Sequence, residues 1–467
     1  MKKLIILFII TALNTIGFSQ QIWFERGYDF GHSETGQCVK QTPDSGYVVA
    51  GWQGIGPFSS KMVIMKTDKH GTLQWSNLIG DGSDDRYAYY ITNCASGGYA
   101  AVGFISGSGF SYDIYVVRLD NNGDTIWTRH YGTSLQERGY CIQETTTHDF
   151  VITYASADTT GILKIDSVGN LLWWKKYLLY NGASFHNIFE LSTGGYVLSG
   201  VVTTGLTTLQ QGAIMRTDSF GDSLWFRDYG GIGEDQFFEG QQTIDGNIIV
   251  SGISAPNVSS GYFCYVLKLN LNGDTIWTKQ FGGVSADDGC QSISNCIDAG
   301  LIVAGTHNNG MGIGTAFLTK LNSSGDSLWT KEFGGPDDRG YFVRQTYDGG
   351  FILTGSTFSL DPNNGVYLVK TDSLGNTDVG INEIINHQTN ITLSPNPFTS
   401  QTTLSFAEEQ TNTTVIITNL LGEEIKTIPH VHTQQLVIDK GEMKSGIYFV
   451  QTIDDAKRIC NKKMVVE

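Results

Sequence analysis

Seven tryptophans recur along this 467-residue chain at nearly constant spacing: Trp23, Trp75, Trp127, Trp173, Trp225, Trp277 and Trp329. The intervals are 52, 52, 46, 52, 52 and 52 residues. A fixed period of this size is the signature of a repeat architecture, in which each unit buries its apolar faces against its neighbours. The period also restrains functional reading. A residue type that returns in every copy serves the repeat first.

Six of the tryptophans end a shared phrase, such as Lys66-Thr67-Asp68-Lys69-His70-Gly71-Thr72-Leu73-Gln74-Trp75. Asp or Asn stands seven residues before the Trp and Gly four before, from Asp68 and Gly71 through Asn322 and Gly325. This predicts a tight hairpin, with the acid or amide bonding the turn backbone and Gly supplying positive φ. Midway through each repeat lies a second turn between β-rich runs, as in Asp348-Gly349-Gly350-Phe351-Ile352-Leu353-Thr354-Gly355. Each unit therefore holds four short strands, and no segment carries sustained helical periodicity. Four antiparallel strands per repeat of this length predict a propeller blade.

Inner strands are expected near Cys38, Tyr90, Cys141, Asn187, Glu239, Ser292 and Phe342, which makes seven blades. The seventh has Val379 where its Trp should stand. A spare strand, Gln21-Ile22-Trp23-Phe24-Glu25-Arg26-Gly27-Tyr28, lies at the other end of the chain. It is expected to complete the last blade and close the ring, removing two exposed sheet edges. Trp23 then takes the seventh tryptophan position. The tryptophans read as core, each filling the wedge between neighbouring sheets and burying about 150–250 Å².

After Gly375 the period stops. The fold class is all-β: a seven-bladed β-propeller followed by a small Ig-like β-sandwich. The expected boundaries are a signal peptide at 1–19, the propeller at 20–378, a linker at 379–390 and a C-terminal module at 391–467. Lys2 and Lys3, the apolar stretch Leu4 to Ala12, and the small residues Gly17 and Ser19 before Gln20 form the secretory pattern. That stretch is too short to span a bilayer, and no other segment could. No Cys follows it to carry a lipoprotein anchor.

Net charge is −16, without a Lys/Arg run, which argues against nucleic acid and anionic membranes as partners. Seven cysteines share no repeat position and read as small buried hydrophobes, not as a disulfide or metal framework.

The C-terminal module opens with Ser394-Pro395-Asn396-Pro397 and passes through a Leu421-Gly422-Glu423 turn. It then reads Ser445-Gly446-Ile447-Tyr448-Phe449-Val450 and ends in Lys462-Lys463-Met464-Val465-Val466. In that order these phrases resemble the type A C-terminal sorting domain of the type IX secretion system of Bacteroidetes. The resemblance covers roughly residues 390–467. It implies an outer-membrane translocon as partner, and a secreted or cell-surface location on the outer-membrane exterior. It also implies removal of the module at the surface, where the passenger can be attached to anionic lipopolysaccharide. The propeller phrases resemble quinoprotein-like repeats and sialidase-type Asp boxes. Neither spacing matches strictly, and no quinone pocket, arginine cluster or tyrosine nucleophile can be assigned.

Loop acids recur before the inner strands: Glu34, Asp84-Asp85, Glu137, Glu234-Asp235, Asp287-Asp288 and Asp337-Asp338. They could form a calcium-binding rim, but recurrence favours caps on their own loops. A polar column, Gln41, Asn93, Glu144, Glu190, Gln242, Asn295 and Gln345, is expected to bond adjacent blades. Glu144 and Glu190 stand in this column, which weakens them as a glycosidase pair. Asp120-Asn121-Asn122-Gly123-Asp124 looks like a calcium loop but coincides with the repeat turn. No HExxH, G-x-S-x-G, Walker or Rossmann phrase occurs in its required context. No catalytic or metal-ligating residue is assigned and no cofactor is expected, calcium remaining open.

The repeats disagree most where the third is six residues shorter and the next has Gly182-Ala183 in place of the acid. Trp174, Tyr180 and His186 are the candidate ligand residues there, lining a groove. The preferred reading is a non-catalytic binding or scaffold propeller for a glycan or protein. The alternative is a secreted polysaccharide hydrolase or lyase, which would need non-repeated acids or histidines clustered at one channel mouth.

Overall fold

Alternation of small and β-branched residues between Gly-containing turns produces strands throughout. The computed structural model describes residues 23–467 except 57–58, 107–110, 157–158, 180–181, 204–208, 258–260, 283–287, 309–313, 362, 378–390, 407–408, 411, 420–423 and 454–458. The chain divides into two compact units, Met1–Val379 and Gly380–Glu467. The expected signal peptide, the whole of the linker, the Leu421-Gly422-Glu423 turn, Tyr180 and Asp287 lie outside the described residues.

The first unit is a seven-bladed propeller of four-stranded antiparallel sheets. Its innermost strands are Ser33–Gln41, Arg86–Asn93, Arg138–Glu144, Ala183–Glu190, Asp235–Gln242, Gly289–Asn295 and Arg339–Gln345. Each lies against the next, and the last returns to the first. Blades are numbered here in that order. The seventh is completed by the N-terminal strand Phe24–Tyr28, which pairs antiparallel with Gly365–Thr371. Ring closure therefore follows the sequence expectation.

The register of that closure does not. In blades one to six the Trp pairs with a cation on the third strand, as in Lys66↔Trp75 and Lys320↔Trp329. In blade seven Lys370 pairs with Phe24, not Trp23. Phe24 is buried and its ring lies where Gly71 turns, at 2.7 Å from the place a Cβ would occupy. Trp75 meets the Gly123 position at the same distance. Gly123 has φ +88°, so both backbone conformation and the tryptophan face demand glycine there. The deciding signal is the aromatic four residues on. The hydroxyls of Tyr28, Tyr131, Tyr177 and Tyr229 donate to the carbonyls of Gly71, Gly169, Gly221 and Gly273, at 2.5–2.7 Å. Tyr28 follows Phe24 by the spacing with which Tyr131 follows Trp127. A one-residue slip would turn every side chain to the wrong face. Trp23 instead lies against Lys370 Nζ, 4.8 Å from its ring centre.

The tryptophans are thus half-buried latches against the next blade's turn rather than fully enclosed core. The turns form as expected. Asp120 Oδ1 accepts the amides of Asn122 and Asp124 at 2.8 and 2.9 Å, so the calcium-like phrase is a hairpin. Asp372 does the same in blade seven. Sequence reading missed a further repeated device. Buried Lys66, Lys320 and Lys370 reach Asp44, Asp298 and Asp348 in the other hairpin at 2.9–3.0 Å. The cysteines also need correction: Cys264 of blade five and Cys290 of blade six are disulfide-bonded, with Cα atoms 4.9 Å apart. Blade packing, invisible in one repeat's sequence, brings them together. Cys38, Cys94, Cys141 and Cys296 are free and buried, as expected.

The second unit has a three-stranded sheet (Thr392–Ser394, Gln401–Ser405, Gln435–Asp439) and a four-stranded one (Thr413–Asn419, Glu424–Val431, Gly446–Ile453, Ile459–Val466). They enclose a core that includes Phe398, Leu404, Val415, Ile417, Ile438, Val450 and Met464. Its two terminal phrases dock on each other. Asn396 Nδ2 donates to Lys463 O at 2.8 Å, and Val465 N donates to Asn396 Oδ1 at 2.7 Å. No helix among the described residues is long and apolar enough to cross a membrane.

Candidate functional site at the propeller axis

Every inner strand carries a β-bulge near its middle. The extra residues are Gln37, Tyr89, Tyr140, His186, Phe238, Gln291 and Tyr341. A bulge re-aims the residue it inserts. Here it turns one side chain per blade into a common cavity of about 240 Å³ on the axis. All seven are half-buried. Tyr89 stacks on Tyr140 with ring centres 5.1 Å apart, and Tyr140 meets the His186 imidazole at 5.2 Å. His186 in turn stacks on Phe238 at 5.9 Å. An aromatic arc therefore runs through blades two to five, with Gln291 and Gln37 among the remaining lining residues.

Beneath this ring the residue type again changes from blade to blade, with cysteine alone occurring twice. The next axial residues are Cys38, Tyr90, Cys141, Asn187, Glu239, Ser292 and Phe342. Glu239, 3% exposed in its side chain, pairs with Arg344 across the ring. The Glu239 carboxylate also accepts from the Ser292 hydroxyl and, at 3.2 Å, from Ile293 N. Arg344 donates to Tyr90 Oη at 3.1 Å and lies 4.0 Å from the Phe342 ring centre. Lys40 Nζ donates to the same Tyr90 oxygen at 3.1 Å. Burial, and next Arg344, lower the Lys40 ammonium to about 8. Burial lowers the His186 imidazole to about 4, against the opposing hydrogen bond between Nδ1 and Phe237 O at 3.3 Å. This imidazole is neutral at pH 7 and acts as a flat, polar-edged surface.

The residues named from sequence separate. His186 lines the axial cavity. Trp174 is on the outermost strand of blade three, half-buried, edge-on to Tyr154 at 5.2 Å. Tyr180 lies outside the described residues. Trp174 and His186 are neighbours in sequence but occupy the two radial ends of adjacent blades. Missed by sequence reading were Tyr89, Tyr140, Phe238 and Tyr341. Their signal is the residue just before each inner-strand landmark.

The repeated acids hold the scaffold. Asp338 accepts Gly335 N at 2.7 Å and Phe358 N at 2.7 Å. Asp235 accepts Gly231 N, and Glu137 accepts Thr133 N. In the polar column, Glu144 accepts Ala95 N and Glu190 accepts Thr146 N, each from the preceding blade. Gln41 accepts Tyr347 N at 2.7 Å across the ring closure. Glu144 and Glu190 are blade ties by this geometry.

The fold and site define a seven-bladed propeller with an aromatic axial pocket, followed by a two-sheet β unit. Residues 392–467 match the secretion system C-terminal sorting domain family. A tail of this family implies recognition by the type IX system, and export to the cell surface or the medium. No curated protein matches the sequence. Among solved structures, the chain is similar to PorZ of Porphyromonas gingivalis, described as an essential bacterial surface component of the type IX secretion system. That likeness has 13% identity and a TM-score of 0.43 over 92% of this chain and 59% of PorZ. This chain thus spans about 59% of the length of that structure. A fungal alcohol oxidase in complex with copper aligns at 12% identity and TM-score 0.46, over 95% of this chain and 99% of its own. Sqt1 from Chaetomium thermophilum aligns at 11% and 0.44, over 74% and 99%. At these identities and scores the likenesses carry no functional inference.

Proposed function

We propose that the protein is an exported, non-catalytic binding propeller that grips the end of a glycan in its axial pocket. A signal peptide at 1–19 takes it across the inner membrane of a Bacteroidetes cell. The module at 391–467 then delivers it to the outer-membrane exterior. The reading rests on one observation, the aromatic arc Tyr89–Tyr140–His186–Phe238 on the bulged strands. Aromatic faces with a few amides at the edge suit a sugar ring, whose C–H face is apolar and whose rim is polar. Rigid strands, not loops, carry the arc, so it is organised before ligand arrives. Glu239 is the carboxylate among the described lining residues, and Arg344 and Ser292 already engage it. That disfavours the hydrolase reading, which needs a free acid beside the ligand.

The test is a glycan array probed with the full chain and with Tyr140→Ala and Phe238→Ala. Binding to one glycan class that falls at least tenfold in both variants supports the reading. Binding unaffected by either change, or turnover of a bound glycan, would sink it.

A further inference from the structure

A second cluster lies at the ring closure, away from the axis. Asp29 stands in the connection between the N-terminal strand and blade one. Glu34 begins blade one, and Asp361 lies between the second and third strands of blade seven. One carboxylate oxygen from each falls within 4.8 Å of the others. Burial raises the Glu34 carboxyl above its ordinary range, with Asp29 adding repulsion after the opposing hydrogen bonds of Gln53, His32 and Phe30.

Acids crowd without a ligand in many proteins, so the second observation matters more. Glu34 is 0% exposed and Asp361 4% exposed. Glu34 Oε1 accepts His32 N at 3.0 Å and Gln53 Nε2 at 2.8 Å, but Oε2 is buried without a partner among the described residues. Asp361 Oδ1 accepts Asn363 N at 2.9 Å, while Oδ2 is likewise buried and unpartnered. Asn364, 9% exposed, has an unpartnered Oδ1 as well. Its amide donates to Asp361 O at 3.0 Å and its carbonyl accepts Glu34 N at 2.6 Å. None of the three acids is in an ion pair with a described residue. Buried oxygens left this way cost free energy unless something positive meets them.

We propose that Asp29, Glu34 and Asp361 bind one calcium ion that pins the last blade to the first. The donors are all oxygen, which selects a hard cation. They come from two chain segments, residues 29–34 and the blade-seven loop at Asp361, so the site tolerates the irregular, high-number coordination that calcium accepts and magnesium resists. Asp29 is exposed and gives the ion and its remaining waters a way in. Because Asp361 of blade seven meets Asp29 and Glu34 only when the ring is closed, calcium would bind the closed form and stabilise it by mass action.

The test is calorimetric titration of the chelator-treated full chain with calcium chloride and, separately, magnesium chloride, alongside thermal melts. The expected result is one calcium per chain, a melting point that rises with calcium, and at least tenfold weaker magnesium. Asp361→Asn and the solvent-facing Asp29→Asn should each weaken calcium at least tenfold. Asp120→Asn, in the hairpin that only looks like a calcium loop, should bind like the parent. No heat and no melt shift with calcium overturns the proposal. So does equal binding by Asp29→Asn, which has little reason to misfold, or loss of binding in Asp120→Asn alone.

Discussion

The outer and inner strands of the same seven blades follow different rules. On the outside, one device repeats: an aromatic latched on the next blade's glycine turn, a cation opposite it, and an Asp or Asn that ties the turn. On the axis, the bulged position changes from Gln37 to Tyr89, His186 and Phe238, and the layer beneath holds one carboxylate–guanidinium pair and repeats only a cysteine, Cys38 and Cys141. A propeller needs every blade-to-blade seam to be equally good, which holds the outer device fixed. It needs the axis only to be filled. Variation concentrated there is free to serve a ligand.

The largest test of the outer rule is removal of residues 20–30. This takes Phe24 and Tyr28 out of the closure and exposes the edge of Gly365–Thr371. Each lost aromatic anchor is worth about 3–5 kcal/mol, so the melting temperature should collapse. An unchanged melting curve would break the closure account. The register is tested by single changes: Phe24→Ala should cost about 3–5 kcal/mol in a denaturant melt, and Trp23→Ala clearly less. The opposite order would restore the tryptophan to the seventh position.

At the axis, Arg344→Met strands the Glu239 charge and should cost about 3–5 kcal/mol, part of which Glu239→Leu should restore in the double variant. Additive losses would mean that the pair does not act as a unit. A smaller effect concerns pH. The folded His186 value of about 4 lies below its ordinary 6.5, so the unfolded chain takes the proton first. Its contribution is complete above about 6.5 and is lost as pH falls through that window toward 4. His186→Phe, copying blade five, should flatten stability across that range.

Much of the outer rule was legible from the chain. The Asp-to-Gly spacing fixed the turns, and the missing seventh strand pointed to the N-terminal segment. The 52-residue interval points to Trp23, whereas the tyrosine four residues on points to Phe24. Tyr28 settles the register because its hydroxyl must reach Gly71, which the interval ignores. The axial site was hard to read for a geometric reason. Its members come from seven segments about one repeat apart, and a bulge, which leaves no fixed residue type, aims each of them. Trp174 and His186 are close along the chain but not in space. In a propeller the outermost strand of one blade runs directly to the innermost strand of the next. The Cys264–Cys290 bridge was hidden likewise, because its partners meet across a seam.

The central claim is that the seams hold the fold while the axis holds the ligand. The direct measurement pairs melting temperature with glycan binding for Trp225→Ala and Tyr140→Ala. Trp225 Nε1 donates to Leu271 O at 3.1 Å across a seam, whereas Tyr140 is half-buried at the axis. The account predicts that Trp225→Ala melts several degrees lower yet binds like the parent when folded. Tyr140→Ala should melt within a degree or two of the parent and lose binding. If instead Tyr140→Ala unfolds the propeller as readily as Trp225→Ala while the folded fraction still binds, the axis is only more core and the claim fails.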